Sequence, residues 1–156
     1  MSNEINIKAA EEIFNLICSN LDSHNCKYNK EPEKLTVSLS VTAKDTSVPL
    51  SLFVDANHEL ITLYSFMNFE VPEDKRLETA VAISKLNYML TFGNFNFDIE
   101  TGKIHFIINV SYRDSKLGSE IITKMISTAL TVMSDFTEKF LMLSKGYLSI
   151  DKFFEN

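Results

Sequence analysis

Apolar and polar residues alternate with two different periods along this chain, and the switches between them mark out three helices and five strands. From Ile5 to Leu21, Ala9, Ala10, Ile13, Phe14, Ile17, Cys18 and Leu21 recur at helical spacing, with Glu11, Glu12, Asn15 and Ser19 between them. That spacing predicts an amphipathic first helix. Asp22 to Lys34 is polar, aperiodic and contains Pro32, so it reads as a loop with an irregular strand around Tyr28. Leu35, Val37, Leu39 and Val41 then alternate with Thr36, Ser38, Ser40 and Thr42, the period of a strand with one buried face. Asp45-Thr46-Ser47 breaks the pattern before a second strand, Val48 to Val54. The turn residues Asp55-Ala56-Asn57-His58 precede a third, Leu60 to Phe66. Short connections imply an antiparallel meander.

Pro72 suits the first turn of a helix, and Glu73 and Asp74 suit the positive end of its dipole. Leu77, Ala80, Val81, Ile83, Leu86, Asn87 and Leu90 make the predicted inner stripe of this second helix, with Gly93 as its stop. Phe95, Phe97 and Ile99 alternate with Asn94, Asn96 and Asp98, and Ile104, Phe106, Ile108 and Val110 with His105, Ile107, Asn109 and Ser111, giving two strands joined through Glu100-Thr101-Gly102. A long last helix carries Ile121, Ile122, Met125, Ile126, Ala129, Leu130, Val132, Met133, Phe136 and Phe140 to about Leu143, and Gly146 ends it. The tail from Tyr147 to Asn156 keeps Leu148, Ile150, Phe153 and Phe154, enough to dock.

The order α-β-β-β-α-β-β-α predicts an α+β domain: an antiparallel five-stranded sheet with helices packed mainly on one face. At 156 residues with neither internal repeat nor Pro- or Ser-rich linker, one domain over residues 1–156 is expected. A net charge of −6 with scattered lysines argues against nucleic acid, whose phosphates demand concentrated basic charge. Apolar runs such as Ile104 to Val110 fall short of the ~20 residues that cross a bilayer, so no membrane partner is expected. Cys18 and Cys26 are too few for a disulfide scaffold, and Met1 to Ala10 lacks a signal-sequence pattern. A reducing, cytoplasmic setting follows as the expectation.

The stretch from Glu70 to Asp135 carries an ordered set of features: Val71-Pro72-Glu73-Asp74, Leu86-Asn87-x-x-Leu90, Phe92-Gly93-x-Phe95, Asp98-x-Glu100-Thr101-Gly102 and Ser134-Asp135-Phe136. In order and spacing it resembles the YbjN-like domain, a family of small bacterial proteins loosely called sensory transduction regulators. One departure is the strand after the turn, where the family pattern often has a basic residue and Ile107-Ile108 continues an apolar run. The resemblance implies a fold like that of type III secretion chaperones, commonly small acidic homodimers that hold extended segments of a client protein.

Little in the sequence supports catalysis or a cofactor. His24-Asn25-Cys26, His58 and His105 supply metal-ligand types without the paired spacing of a zinc site. The isolated glycines build no phosphate cradle, and no local signature of a nucleophile with its base is present. Cys18, one turn from Phe14, reads as a small buried hydrophobe. Glu70, Glu73 and Asp74 read as a solvated helix start. Asn87 falls on an inner stripe, where an amide must find partners; a structural hydrogen bond to the neighbouring strand or loop is the first reading and a ligand contact the second.

The remaining signal is surplus apolar surface. Apolar residues occupy both faces of the second and third strands, and the last helix carries an apolar stripe from Ile121 to about Leu143. Phe53, Ile61, Leu63, Phe136 and Phe140 are therefore the expected protein-interface residues, unless the first helix or the tail covers them. The sequence reads as a non-enzymatic protein-binding domain without cofactor or metal: a homodimer, or a chaperone-like adaptor or regulator with a client protein. A small-molecule-binding regulatory domain is the alternative, with a type III secretion chaperone proper behind it.

Overall fold

The computed structural model describes residues 7–155. Helix α1, Ile7–Ser23, buries Ala10, Phe14, Ile17 and Leu21 along one stripe; Ile5 and the rest of the expected signal-free start through Asn6 lie outside the described residues, as does Asn156. Asn20 is also buried on α1. Its amide donates to the Ser119 carbonyl (3.1 Å), the Ser119 hydroxyl (2.7 Å) and the Thr123 hydroxyl (2.9 Å). One polar side chain thus ties the end of the first helix to the start of the last.

Strand β1, Asn29–Glu31, is followed by a 3₁₀ turn over Pro32–Lys34. Leu35, at φ 50°, turns the chain back into β2, Thr36–Ala43. Lys44 and Asp45 both have positive φ, the geometry of a two-residue hairpin whose twist matches its strands, and β3 runs Thr46–Asp55. Strand β4 is Leu60–Glu70. A 3₁₀ turn, Glu73–Lys75, leads into α2, Arg76–Met89, then β5, Asn94–Asp98, and β6, Lys103–Ser111. Helix α3, Ser119–Ser144, and the single turn α4, Ile150–Phe153, complete the order.

All pairings are antiparallel, in the order β1-β2-β3-β4-β6-β5. The sheet has six strands, not the five expected. The sixth, β1, is exposed at all three residues, so no hydrophobic period announces it; backbone pairing to Thr36–Ser38 holds it in place. Register aligns Val37, Leu52, Leu63 and Ile108 in one row across four strands. Each is at most 1% exposed beneath α1 and α3, so the helices do cover one face.

Two glycines serve different ends. Gly146, at φ +74°, follows α3 as expected: its N–H reaches the Leu143 carbonyl and that of Tyr147 reaches Met142, a left-handed cap that satisfies the last carbonyls. Gly93 is not the stop of α2, which ends when Leu90 turns extended (ψ 135°); it instead enters β5 where a Cβ would lie 2.4 Å from the Phe106 ring. In the β5–β6 turn, a Cβ on Gly102 would meet the Val71 carbonyl at 2.3 Å. Gly102→Ala is expected to cost about 2–3 kcal/mol from left-handed strain and this collision, measured by urea unfolding.

Candidate protein-binding surfaces

Helix α2 presents the largest difference between pattern and structure. Its buried side is Thr79, Ala82, Ile83 and Leu86, so Leu77 and Val81, expected on the inner stripe, point outward at 75% and 57% exposure. Tyr88 and Met89 are also exposed. At about 100° per residue, Leu77, Val81 and Tyr88 fall within about 40° of one another, with Ser84 between. Thr79 takes an inner position because its hydroxyl donates to the Lys75 carbonyl (2.9 Å) and needs no other partner. Apolar residues on both sides of the helix left its phase ambiguous in sequence. The same two-sidedness was the available sign of a second contact surface.

Asn87 has a structural partner. Its Nδ2 donates to the Phe95 carbonyl (2.9 Å) and its Oδ1 accepts from the Phe95 N–H (2.8 Å). The amide stands where a neighbouring strand would pair with β5. At the other end of α2, Arg76 donates to the carbonyls of Val71 (3.1 Å) and Glu100 (2.6 Å). The helix therefore shields the β5 edge.

The opposite edge is open. Pairing of β1 stops at Asn29 with Ser38, leaving Leu39–Ala43 of β2 without a strand neighbour on that side among the described residues. Val54 N–H donates to the Leu35 carbonyl (3.1 Å), which sets the alternation: odd residues of β2 bond to β3, and the N–H and C=O of Ser40 and Thr42 point outward. A cleft of about 360 Å³, lined by Lys27, Tyr28, Asn29, Ser38, Leu39 and Ser40, adjoins this edge.

The sheet face away from the helices carries a belt of rings. Phe53 stacks on Tyr64 (5.7 Å between centroids), and Tyr64 and Phe66 lie 5.3 and 5.0 Å from His105. Ile107, paired with Tyr64, is covered by this belt, whereas Phe66 is 50% exposed. Burial pushes His105 below its ordinary 6.5, and Asn96 donates to its Nε2 (3.3 Å), which accepts only when the ring is neutral. The unfolded chain therefore takes up this proton first: stability is full above pH 6.5 and falls as pH drops through the window beneath it. His105→Gln is expected to flatten the fall in melting temperature between pH 6.5 and 5.

The five expected interface residues separate. Ile61, Leu63 and Phe140 have 0% exposure and belong to the core under the helices. The surface side of β4 is instead Leu60, Thr62, Tyr64 and Phe66, the alternate set. Phe136 is partly buried and stacks on Phe153 of the chain's own tail (5.9 Å). Phe53 is partly exposed within the ring belt.

Among the described residues no group of three or more His, Cys, Asp and Glu is placed to hold a metal. His58 Nδ1 meets Asp55 Oδ2 at 2.7 Å, while Asp55 Oδ1 accepts the N–H groups of Asn57 (3.0 Å) and His58 (3.1 Å). The His58 side-chain bond is the main reason Asp55 stays below its usual value. This arrangement closes a hairpin turn and orients no nucleophile. His24 is tied to the Asn20 carbonyl (2.8 Å). No described helix is long and apolar enough to cross a membrane.

No protein-family model and no curated protein matches the sequence. Solved structures do. A chain of the HopA1–SchA chaperone–effector complex superposes with a TM-score of 0.57 at 16% identity, over 84% of this chain and 97% of that one. YbjN from E. coli gives 0.59 at 12% identity over 78% and 85%, and a chain of the ExsC–ExsE complex 0.53 at 16% over 81% and 91%. The chain has the YbjN-like, secretion-chaperone-like fold. At these identities the likeness is one of backbone: the α+β fold, with its antiparallel sheet and helices, is shared.

Proposed function

We propose that this protein is a non-enzymatic, chaperone-like adaptor that pairs with a second copy through α2 and holds an extended segment of a client protein along the β2 edge. The carrying observation is the stripe Leu77, Val81 and Tyr88, aligned on one side of a helix whose other side is already packed. A soluble acidic chain loses solubility by showing such a stripe unless a protein covers it. The fold's likeness to chains seen in chaperone–effector complexes supports the same reading. At the β2 edge, Ser40 and Thr42 offer main-chain groups that an extended peptide satisfies as a strand. A small-molecule pocket at Asn87 is not favoured, because Phe95 engages both ends of the amide.

Size-exclusion chromatography with light scattering tests the first half, with a mass near twice 17.8 kDa expected. A mass of one chain at all concentrations overturns it. For the client half, Thr42→Pro removes one outward N–H from β2 without touching its bonds to β3. Clients captured by the wild type are expected to be lost from this variant while the dimer persists; equal capture by both excludes the β2 edge.

A further inference from the structure

We infer that the tail from Ser149 to Glu155 is a strap, hinged at Gly146, that opens as a unit and uncovers an aromatic socket between α2 and α3. Its anchor is Phe153, at 0% exposure, with ring centroids 4.8 Å from Phe140 and 5.9 Å from Phe136. Phe95 completes the socket, 5.3 Å from Phe140. Among the described residues, hydrogen bonds from this segment to the rest of the chain come from one side chain: Lys139 donates to the carbonyls of Phe153 (3.0 Å) and Glu155 (3.3 Å). Lys85 sits over the Phe154 ring at 4.4 Å. The strap's other bonds are its own, with the Ser149 carbonyl and hydroxyl accepting from Phe153 and Lys152.

That is the construction of a ligand held in cis. The helix is four residues long, far below the length at which a helix stands alone. No main-chain ladder fixes it to the sheet, and Gly146, already in the left-handed region, supplies a pivot. A segment held by one deep ring, the partly buried Ile150 and Phe154 and two lysines, with no backbone-to-backbone bond to the rest of the fold among the described residues, belongs to the low-stability end of a structure. The occupant that the socket fits is this tail itself: two adjacent phenylalanines on one turn, with the Phe153 and Glu155 carbonyls facing Lys139 and the Phe154 ring facing Lys85. The inference stands whether or not α2 mediates a dimer.

Hydrogen exchange on the wild-type protein is the first test. Amides of Phe153 and Glu155 are expected to exchange at least tenfold faster than those of α3 at Met133 and Phe140. Exchange of both groups at one common rate overturns the strap. The second test uses full-length Phe153→Ala and a fluorescent peptide of residues 147–156. Saturable binding to the variant but not to the wild type is expected, and a peptide with the same Phe153→Ala change should not bind. A folded variant that ignores the peptide overturns the proposal, and should the variant not fold, the exchange measurement decides it.

Discussion

An Asn87→Leu variant should unfold about 2–4 kcal/mol more easily than the wild type, because it strips the partners from two main-chain groups at once. Leucine nearly matches the amide in size, so packing changes little. The N–H and C=O of Phe95 are left facing an apolar side chain beside a ring that is 2% exposed. At roughly 2–4 °C per kcal/mol for a chain of this size, the melting temperature should fall by about 5–15 °C. Urea titration with an unchanged slope would place the loss in the native state. Asn87→Asp should be no better: its carboxylate still accepts from the Phe95 N–H but opposes the Phe95 carbonyl oxygen. Were both variants to keep full stability, Asn87 would be free of its structural duty and the ligand-contact reading would return.

The same residue shows what the amino-acid pattern could and could not convey. An amide on the inner side of α2 announced a buried bond, and the bond is there, but the pattern had no means of choosing Phe95. The strand alternations of Leu35–Val41 and Ile104–Val110 were readable because each has one dry face. Strand β1 was legible only as an irregular strand around Tyr28, since Asn29, Lys30 and Glu31 are exposed and held by backbone pairing. In β4 the side chains on both faces are large and apolar, so periodicity did not say which set met the helices. Ile61 and Leu63 were assigned to the surface although they lie inside, while Tyr64 and Phe66 form the outer belt. Phe136 and Phe140, expected at an interface unless the first helix or the tail covers them, are covered by Phe153 of the tail. Phase and cover are tertiary facts, fixed by what each element meets.

Phase matters most on α2, where it determines the surface that a second copy would meet. In the dimer proposed above, a twofold axis crossing the helix between Ala82 and Ile83 would set Leu77 of each copy against Tyr88 of the other and Val81 against Ser84. The small serine lets the helices approach closely, and the pairing is self-complementary as an isologous contact requires. Val81→Asp places a carboxylate at the centre of that contact, and the cation one turn on, Lys85, is already held over the Phe154 ring. Burying an unpaired charge costs several kcal/mol, so the dimer should dissociate on the order of 100-fold more readily or worse. Val81 is already 57% exposed within one chain, so the monomer's own stability should change by less than about 0.5 kcal/mol. Light scattering across a dilution series, paired with thermal unfolding of the same samples, separates the two effects. Loss of the dimer with an intact fold assigns the stripe to self-association; an unchanged dimer would move the contact to the ring belt around Phe66, the other exposed apolar surface of the sheet.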